Sequence, residues 1–185
     1  MTRRGIFILA GIFLSALVLI GFGRRGYEEV EGVQSIEKAS AKVRKDFPGV
    51  KPISPGSLRN VLEITPEIVL LIDAREPKEY ALSHLPGAVN LRSQAAVLAH
   101  LRDQPVAPEI PIVYCSIGFR SAALADSLRR EYPVENLDGG IFLWANEGGS
   151  LVTSSGETTS LVHPYNRFYG RLLDPVHRAP SQENP

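Results

Sequence analysis

The chain is poor in cysteine: its 185 residues contain one, Cys115. A single thiol excludes an intramolecular disulfide and any zinc site built on several cysteines. A positive charge excess is missing as well, since Lys plus Arg and Asp plus Glu number 20 each. Without a basic field to attract phosphates, we predict no nucleic-acid partner.

Charge is also missing from one long run near the N-terminus. Residues 6–22 read IFILAGIFLSALVLIGF. As a helix this run would be ~26 Å long, at the short end for a bilayer span. We therefore predict that residues 1–25 form an uncleaved membrane anchor. A cleaved signal sequence stays open as the alternative, although no A-x-A spacing follows the run.

The flanking charges bear on the orientation of this anchor. Arg3 and Arg4 precede the run, and Arg24 and Arg25 follow it, so the charge bias is not decisive. Because a short basic tail before a first apolar segment commonly stays in the cytoplasm, we predict a single-pass protein with an extracytoplasmic domain. Residues 26–49 are rich in charge and predict a helix or linker.

Residues 50–149 show the pattern of an α/β domain. Apolar runs at residues 68–72 and 110–114 alternate with amphipathic stretches such as SAALADSLRREY. This pattern predicts a parallel sheet with helices on both faces, in which chemistry gathers at the carboxyl ends of strands. Residues 150–185 are polar and then aromatic. They predict an extension that packs on the domain and ends in disorder from His177 onward.

The cysteine stands in a short loop between a predicted strand and a predicted helix. Backbone N–H groups of such a loop can form an anion-binding nest, to which the helix start adds its unpaired amides. Gly118 allows a positive φ. This setting favours an ionised thiol. The candidate site residues are Cys115, Ser116, Ile117, Gly118, Phe119 and Arg120. The alternative is a buried cysteine that acts as a small hydrophobe.

Three stretches carry a family resemblance. LLIDAREPKEYALSHLPGAVNL, IVYCSIGFRSAALADSL and NLDGGIFLWANEG resemble the successive motifs of a rhodanese domain in order and spacing. The C-x-x-G-x-R loop is the most specific of them. The resemblance implies a rhodanese-like fold and a sulfurtransferase, and it implies no metal and no organic cofactor.

The resemblance also implies roles for the loop residues. Cys115 would take a sulfane sulfur from a small-molecule donor such as thiosulfate, hold it as a persulfide, and pass it to a thiol or cyanide-like acceptor. A protein acceptor is compatible with the same chemistry. The backbone amides of residues 116–120 would bind the persulfide, and Arg120 would bind the anionic donor.

Two other functions share this fold. Phosphatases and arsenate reductases have a C-x5-R loop, whereas Cys115 and Arg120 define the shorter C-x4-R. By resemblance, the tighter loop suits sulfur better than a tetrahedral phosphate. The other alternative is a non-catalytic binding or regulatory module at the membrane.

Asp73 and Arg75 are supporting candidates. The spacing from Asp73 to Glu76 fits a capping box, in which Asp73 would be the N-cap of the next helix. The resemblance instead places Asp73 and Arg75 near the pocket, as an ion pair that supports the loop. His84 is interpreted as a satisfied turn residue. In the C-terminal extension, four residues would border the site if the tail folds over it, but packing is the favoured interpretation; they are His163, Tyr165, Arg167 and Tyr169.

Overall fold

The computed structural model describes residues 35–103 and 110–180. The predicted membrane anchor, residues 1–25, lies outside these ranges. Among the residues described, no helix has the length and apolar character that crossing a bilayer requires.

The first described element is helix α1, Ile36–Asp46, within the segment predicted as a helix or linker. The Ser35 hydroxyl caps it by accepting the N–H of Lys38 at 3.3 Å. Its buried residues recur at helical spacing and form one apolar face; they are Ile36, Ala39, Ser40 and Val43.

Five strands form one parallel sheet in the order β1-β5-β4-β2-β3. The central strand is β4, so its carboxyl end lies in the middle of the sheet edge. The strands are β1 Lys51–Ile53, β2 Val69–Asp73, β3 Val89–Asn90, β4 Ile110–Tyr114 and β5 Glu135–Leu137.

Helices alternate with these strands, as parallel connections require. They are α2 Pro55–Ile64, α3 Pro77–Leu82, α4 Gln94–Arg102, α5 Phe119–Leu128 and α6 Gly140–Asn146. A short 3-10 helix, Pro66–Ile68, leads into β2.

Both faces of the sheet are buried. Ile72 and Val113 pack in one core with Val97 of α4 and Leu128 of α5. Neighbouring residues of the same strands, such as Ile112, point to the opposite face and are equally buried. The predicted α/β class with a central parallel sheet is confirmed.

The C-terminal extension folds onto this body. Strands β6, Leu151–Val152, and β7, Thr158–Thr159, form an antiparallel hairpin. His84 and Val152 exchange backbone hydrogen bonds of 2.8 and 2.9 Å. Two 3-10 helices follow, Tyr169–Leu172 and Pro175–His177.

The predicted disorder from His177 onward is wrong for the first residues of that stretch. Ala179 is buried, and its N–H donates to the carbonyl of Val162 at 3.0 Å. The apolar neighbours that hold this segment are not evident from its polar composition. Residues 181–185 lie outside the described ranges.

Candidate active site

Cys115 follows the last residue of β4, and the loop from Cys115 to Gly118 leads into α5. Gly118 has φ 95° and is the N-cap of that helix. The predicted positive φ is therefore confirmed, in a region that residues with a Cβ rarely adopt. Asn136 of β5 fixes the turn, because its Nδ2 donates to the carbonyl of Gly118 at 3.1 Å.

The turn between β5 and α6 holds the loop from the other side. The N–H of Ile141 donates to the carbonyl of Cys115 at 2.9 Å, and that of Phe142 to the carbonyl of Ser116 at 3.1 Å. Gly140 lies against both carbonyls, and a Cβ there would stand 2.3 Å from the oxygen of Cys115. No side chain fits at this position.

These bonds determine where the loop amides point. In a trans peptide the N–H is opposed to the carbonyl. The N–H groups of Ser116 and Ile117 therefore point away from α6. Among the described residues, the N–H groups of Ser116, Ile117 and Gly118 donate to no protein acceptor. Adjacent unpaired amides at a helix start are the geometry of an anion-binding nest.

The thiol itself lies inside the protein. Cys115 is 1% exposed, at the junction of the central strand and the loop. Ile117 is buried beside it in the loop. Phe119 is half-buried and packs edge-to-face on Phe47, with ring centroids 5.4 Å apart.

Arg120 is paired with a carboxylate that the sequence did not single out. Its Nη1 and Nη2 donate to the two carboxylate oxygens of Glu79 at 2.8 and 3.0 Å. Ser116 completes the network: its Oγ accepts from Arg120 at 3.0 Å and donates to Glu79 at 3.1 Å. The loop is thus tied to α3 through one buried carboxylate.

Burial and charge act in opposite directions on this pair. Burial by itself raises the pKa of Glu79, but the hydrogen bonds and charge of Arg120 outweigh it and hold the pKa below its ordinary value. Burial would likewise lower the pKa of Arg120, yet the Glu79 carboxylate raises it. Both groups are therefore charged at neutral pH.

Glu79 also caps its own helix, which corrects the predicted capping box. Glu79 Oε2 accepts the N–H of Glu76 at 2.9 Å, and the box is formed by Glu76 and Glu79. Asp73 is not the N-cap. Its Oδ1 accepts the N–H of Arg75 at 2.9 Å instead.

The second supporting pair is the ion pair of Asp73 and Arg75. Arg75 Nη2 donates to Asp73 Oδ2 at 2.6 Å and to the carbonyl of Ser83 at 2.6 Å, and both charged side chains are fully buried. Burial lowers the pKa of Arg75, but Asp73 outweighs it and raises that pKa. The guanidinium lies 5.9 Å from the ring centre of Tyr114, the residue before Cys115. The pair thus supports the end of β4.

His84 has its hydrogen-bonding partners, as predicted, but it lies in a β-bridge with Val152 and not in a turn. Its Nδ1 makes a 3.0 Å hydrogen bond with the carbonyl of Tyr80, and its ring stacks on that of Tyr80 with centroids 3.8 Å apart.

Removing the charge of Glu79 is expected to destabilise the protein. Glu79→Gln keeps the shape but leaves the partly buried Arg120 without its counter-charge, which costs about 3 kcal/mol. Urea denaturation measures the loss. Glu63→Gln, at an exposed position of α2, is the control and should stay within about 0.5 kcal/mol. Equal stabilities of the two variants would contradict the buried pair.

The dependence of stability on pH provides a second test of the ion pair between Glu79 and Arg120. The pKa of Glu79 is lower in the folded protein than in the unfolded chain. The stabilisation by the ion pair is therefore complete at pH values above the pKa of Glu79 in the unfolded chain. It is lost as the pH falls through the pKa of Glu79 in the folded protein. The difference in stability between wild type and Glu79→Gln should therefore shrink on acidification.

The fold and the loop define a class: α/β domains that carry a cysteine on an anion-binding loop at the carboxyl end of a central strand. A family model, Rhodanese-like domain, matches residues 54–147. The chain belongs to this family.

Two relatives show how far the likeness extends. A sulfurtransferase of Allochromatium vinosum is 35% identical over 109 residues, which cover 58% of this chain and 99% of the relative. A probable molybdopterin-synthase adenylyltransferase of Porphyra purpurea is 32% identical over 98 residues, which cover 52% of this chain. The match spans only 26% of that relative's length.

Among solved structures, a thiosulfate sulfurtransferase from Pseudomonas aeruginosa superposes with a TM-score of 0.54. The alignment covers 74% of this chain and 27% of that one, at 20% identity. It shows the shared fold.

Proposed function

We propose that this protein is a sulfurtransferase that carries a sulfane sulfur as a persulfide on Cys115. The observation that carries the proposal is the row of unpaired amides at Ser116, Ile117 and Gly118 beside the cysteine. A terminal persulfide sulfur is anionic, and inward N–H groups stabilise such a charge. A sulfurtransferase among the relatives supports the same reading.

The reaction then has two displacements. The thiolate of Cys115 attacks the outer sulfur of thiosulfate, forming a new S–S bond. The S–S bond of thiosulfate breaks, and its electron pair leaves with sulfite. In the second displacement a thiol or cyanide attacks the outer persulfide sulfur, and the electron pair returns to the sulfur of Cys115.

Arg120 has two roles in this proposal. Its pairing with Glu79 and Ser116 holds the loop at the start of α5. Its side chain is 32% exposed, and through that part it attracts the anionic end of the donor. Because Glu79 offsets its charge, the backbone amides supply most of the stabilisation. A singly charged sulfur suits this balance better than a phosphate dianion, which disfavours the phosphatase alternative.

Intact-mass spectrometry tests the proposal. Incubating the full chain with thiosulfate should add the mass of one sulfur atom to Cys115, and cyanide should remove it again. A binding module with the same fold would keep its unmodified mass. An unmodified protein at saturating thiosulfate would overturn sulfur transfer from this donor and favour the module.

Membrane attachment through residues 1–25 and an extracytoplasmic domain stay predictions from the sequence. A C-terminal reporter that is active on only one side of the membrane tests the second prediction, since it reports on which side the domain resides.

A further inference from the structure

The C-terminal extension reaches the candidate site from outside the family match, which ends at residue 147. The ring of Tyr165 lies over the guanidinium of Arg120, with 4.7 Å between the guanidinium carbon and the ring centre. This distance is within the range of a cation–π interaction. Tyr165 therefore contacts the arginine that closes the cysteine loop.

The backbone at Tyr165 is held in an unusual conformation. Tyr165 has φ 63°, and it is the one residue other than glycine with positive φ in residues 35–103 and 110–180. Such a conformation is strained and persists only where surrounding contacts impose it. Here the N–H of Tyr165 donates to His163 Nδ1 at 3.0 Å, and Asn166 closes the turn on the carbonyl of Pro164 at 2.8 Å.

His163 has the protonation state that this turn needs. Burial lowers its pKa. The charge of Glu79 raises it, and the charges of Lys78, Arg75 and Arg120 lower it again, so that the net effect is a lowered pKa. The imidazole is therefore neutral at pH 7, and Nδ1 is available to accept the N–H of Tyr165.

Arg120 is consequently restrained from two directions. Glu79 and Ser116 hold its Nη atoms in the plane of the guanidinium, and Tyr165 covers one face of that plane. Cys115 is 1% exposed while the Arg120 side chain is 32% exposed. Arg120 is thus the partly exposed end of the loop that holds the buried sulfur, and the ring of Tyr165 stands against it.

We propose that Tyr165 is a positioning and specificity-determining residue, whose ring fixes the Arg120 guanidinium and narrows the approach to Cys115. The site then takes small anionic donors such as thiosulfate in preference to bulky ones such as glutathione persulfide. This inference rests on the proposed function for its substrates, but its geometric part can be tested without sulfur transfer.

The test uses the single thiol of the chain, since every alkylated molecule of the full-length protein is modified at Cys115. Rates of modification are measured with a small reagent, iodoacetamide, and a bulky one, fluorescein maleimide. Tyr165→Gly removes the ring and suits the positive φ. It should raise the ratio of the bulky-reagent rate to the small-reagent rate about tenfold. Tyr165→Phe keeps the ring and should keep the wild-type ratio.

Two results would overturn the inference: an unchanged ratio in Tyr165→Gly, or an equal change in Tyr165→Gly and Tyr165→Phe. A general loosening of the fold speeds both reagents by the same factor, leaves the ratio unchanged, and therefore counts against it.

Sulfur-transfer kinetics give the matching readout. Loss of the cation–π contact should raise the KM for thiosulfate about fivefold in Tyr165→Gly with little change in kcat. A fall in kcat with KM unchanged would contradict this. If wild type forms no persulfide, the proposed function fails, and the alkylation ratio still decides whether Tyr165 narrows the approach.

Discussion

Cys115→Ser is expected to abolish sulfur transfer, lowering kcat about 10⁴-fold or more, as removal of a nucleophile does elsewhere. A serine hydroxyl stays protonated at neutral pH and forms no equivalent of a persulfide. The variant should also keep its unmodified mass after incubation with thiosulfate. Both measurements report on one atom, because the chain contains no second cysteine that could take over.

The fold should survive this substitution. Serine has nearly the shape of cysteine, although a hydroxyl in this buried position costs about 1–3 kcal/mol unless it finds an acceptor. A thermal melt followed by circular dichroism measures the loss. A well-folded Ser variant that retains more than a trace of sulfur transfer would refute the role of Cys115.

Gly140→Ala is expected to cause the largest loss of stability, about 3–5 kcal/mol, because strain and overpacking add. The residue has φ 58°, and a Cβ would lie 2.3 Å from the carbonyl oxygen of Cys115 and 2.7 Å from that of Ser116. Both obstacles are backbone atoms that α6 already binds, so they cannot turn aside as a side chain could. Folded molecules should also lose activity, since the clash displaces the cysteine loop.

Gly148→Ala is the matched control. Its φ is 74°, but a Cβ there meets nothing within 4 Å. Only the conformational cost remains, about 1–2 kcal/mol, and activity should not change. Urea denaturation measures the loss of stability in each variant, and the difference between Gly140→Ala and Gly148→Ala gives the cost of the steric clash apart from the backbone strain. Similar losses in both would show that the loop does not depend on close contact with α6.

Much of the fold follows from the hydrophobic pattern. Residues 110–114 form an uninterrupted apolar run because β4 is buried on both faces, and that run correctly places Cys115 at the carboxyl end of a buried strand. Gly118 at the turn could be predicted in the same way, because the strand-to-helix turn requires a residue that tolerates positive φ.

Contacts between distant segments could not be predicted. Glu79 and Arg120 lie 41 positions apart, and nothing in the sequence around Glu79 separates a fully buried carboxylate from an exposed one on a helix. The one available signal was its spacing from Glu76. The sequence favours a packing role for Tyr165, since the path of the extension depends on turns that carry little sequence signal.

The misplaced capping box has a local reason. Proline favours the first position of a helix, because it has no N–H to leave unpaired there. Pro77 therefore starts α3 and makes Glu76 the N-cap, three residues beyond Asp73. Because the N-cap is Glu76, the side chain of Asp73 is able to pair with Arg75, and Glu79 lies on the side of α3 that contacts the cysteine loop.

The unpaired amides of Ser116, Ile117 and Gly118 couple the binding of sulfur to the stability of the fold. An anion seated on them gains hydrogen bonds that the described chain offers to no group of its own. A persulfide sulfur stays covalently attached to Cys115 when the chain unfolds, so it stabilises the native state only through the hydrogen bonds that the folded loop offers it. The persulfide and the folding stability of the domain are thus linked thermodynamically. The persulfide form should resist denaturation better than the form with a free cysteine. Each turnover should therefore alternate the domain between a more stable and a less stable form.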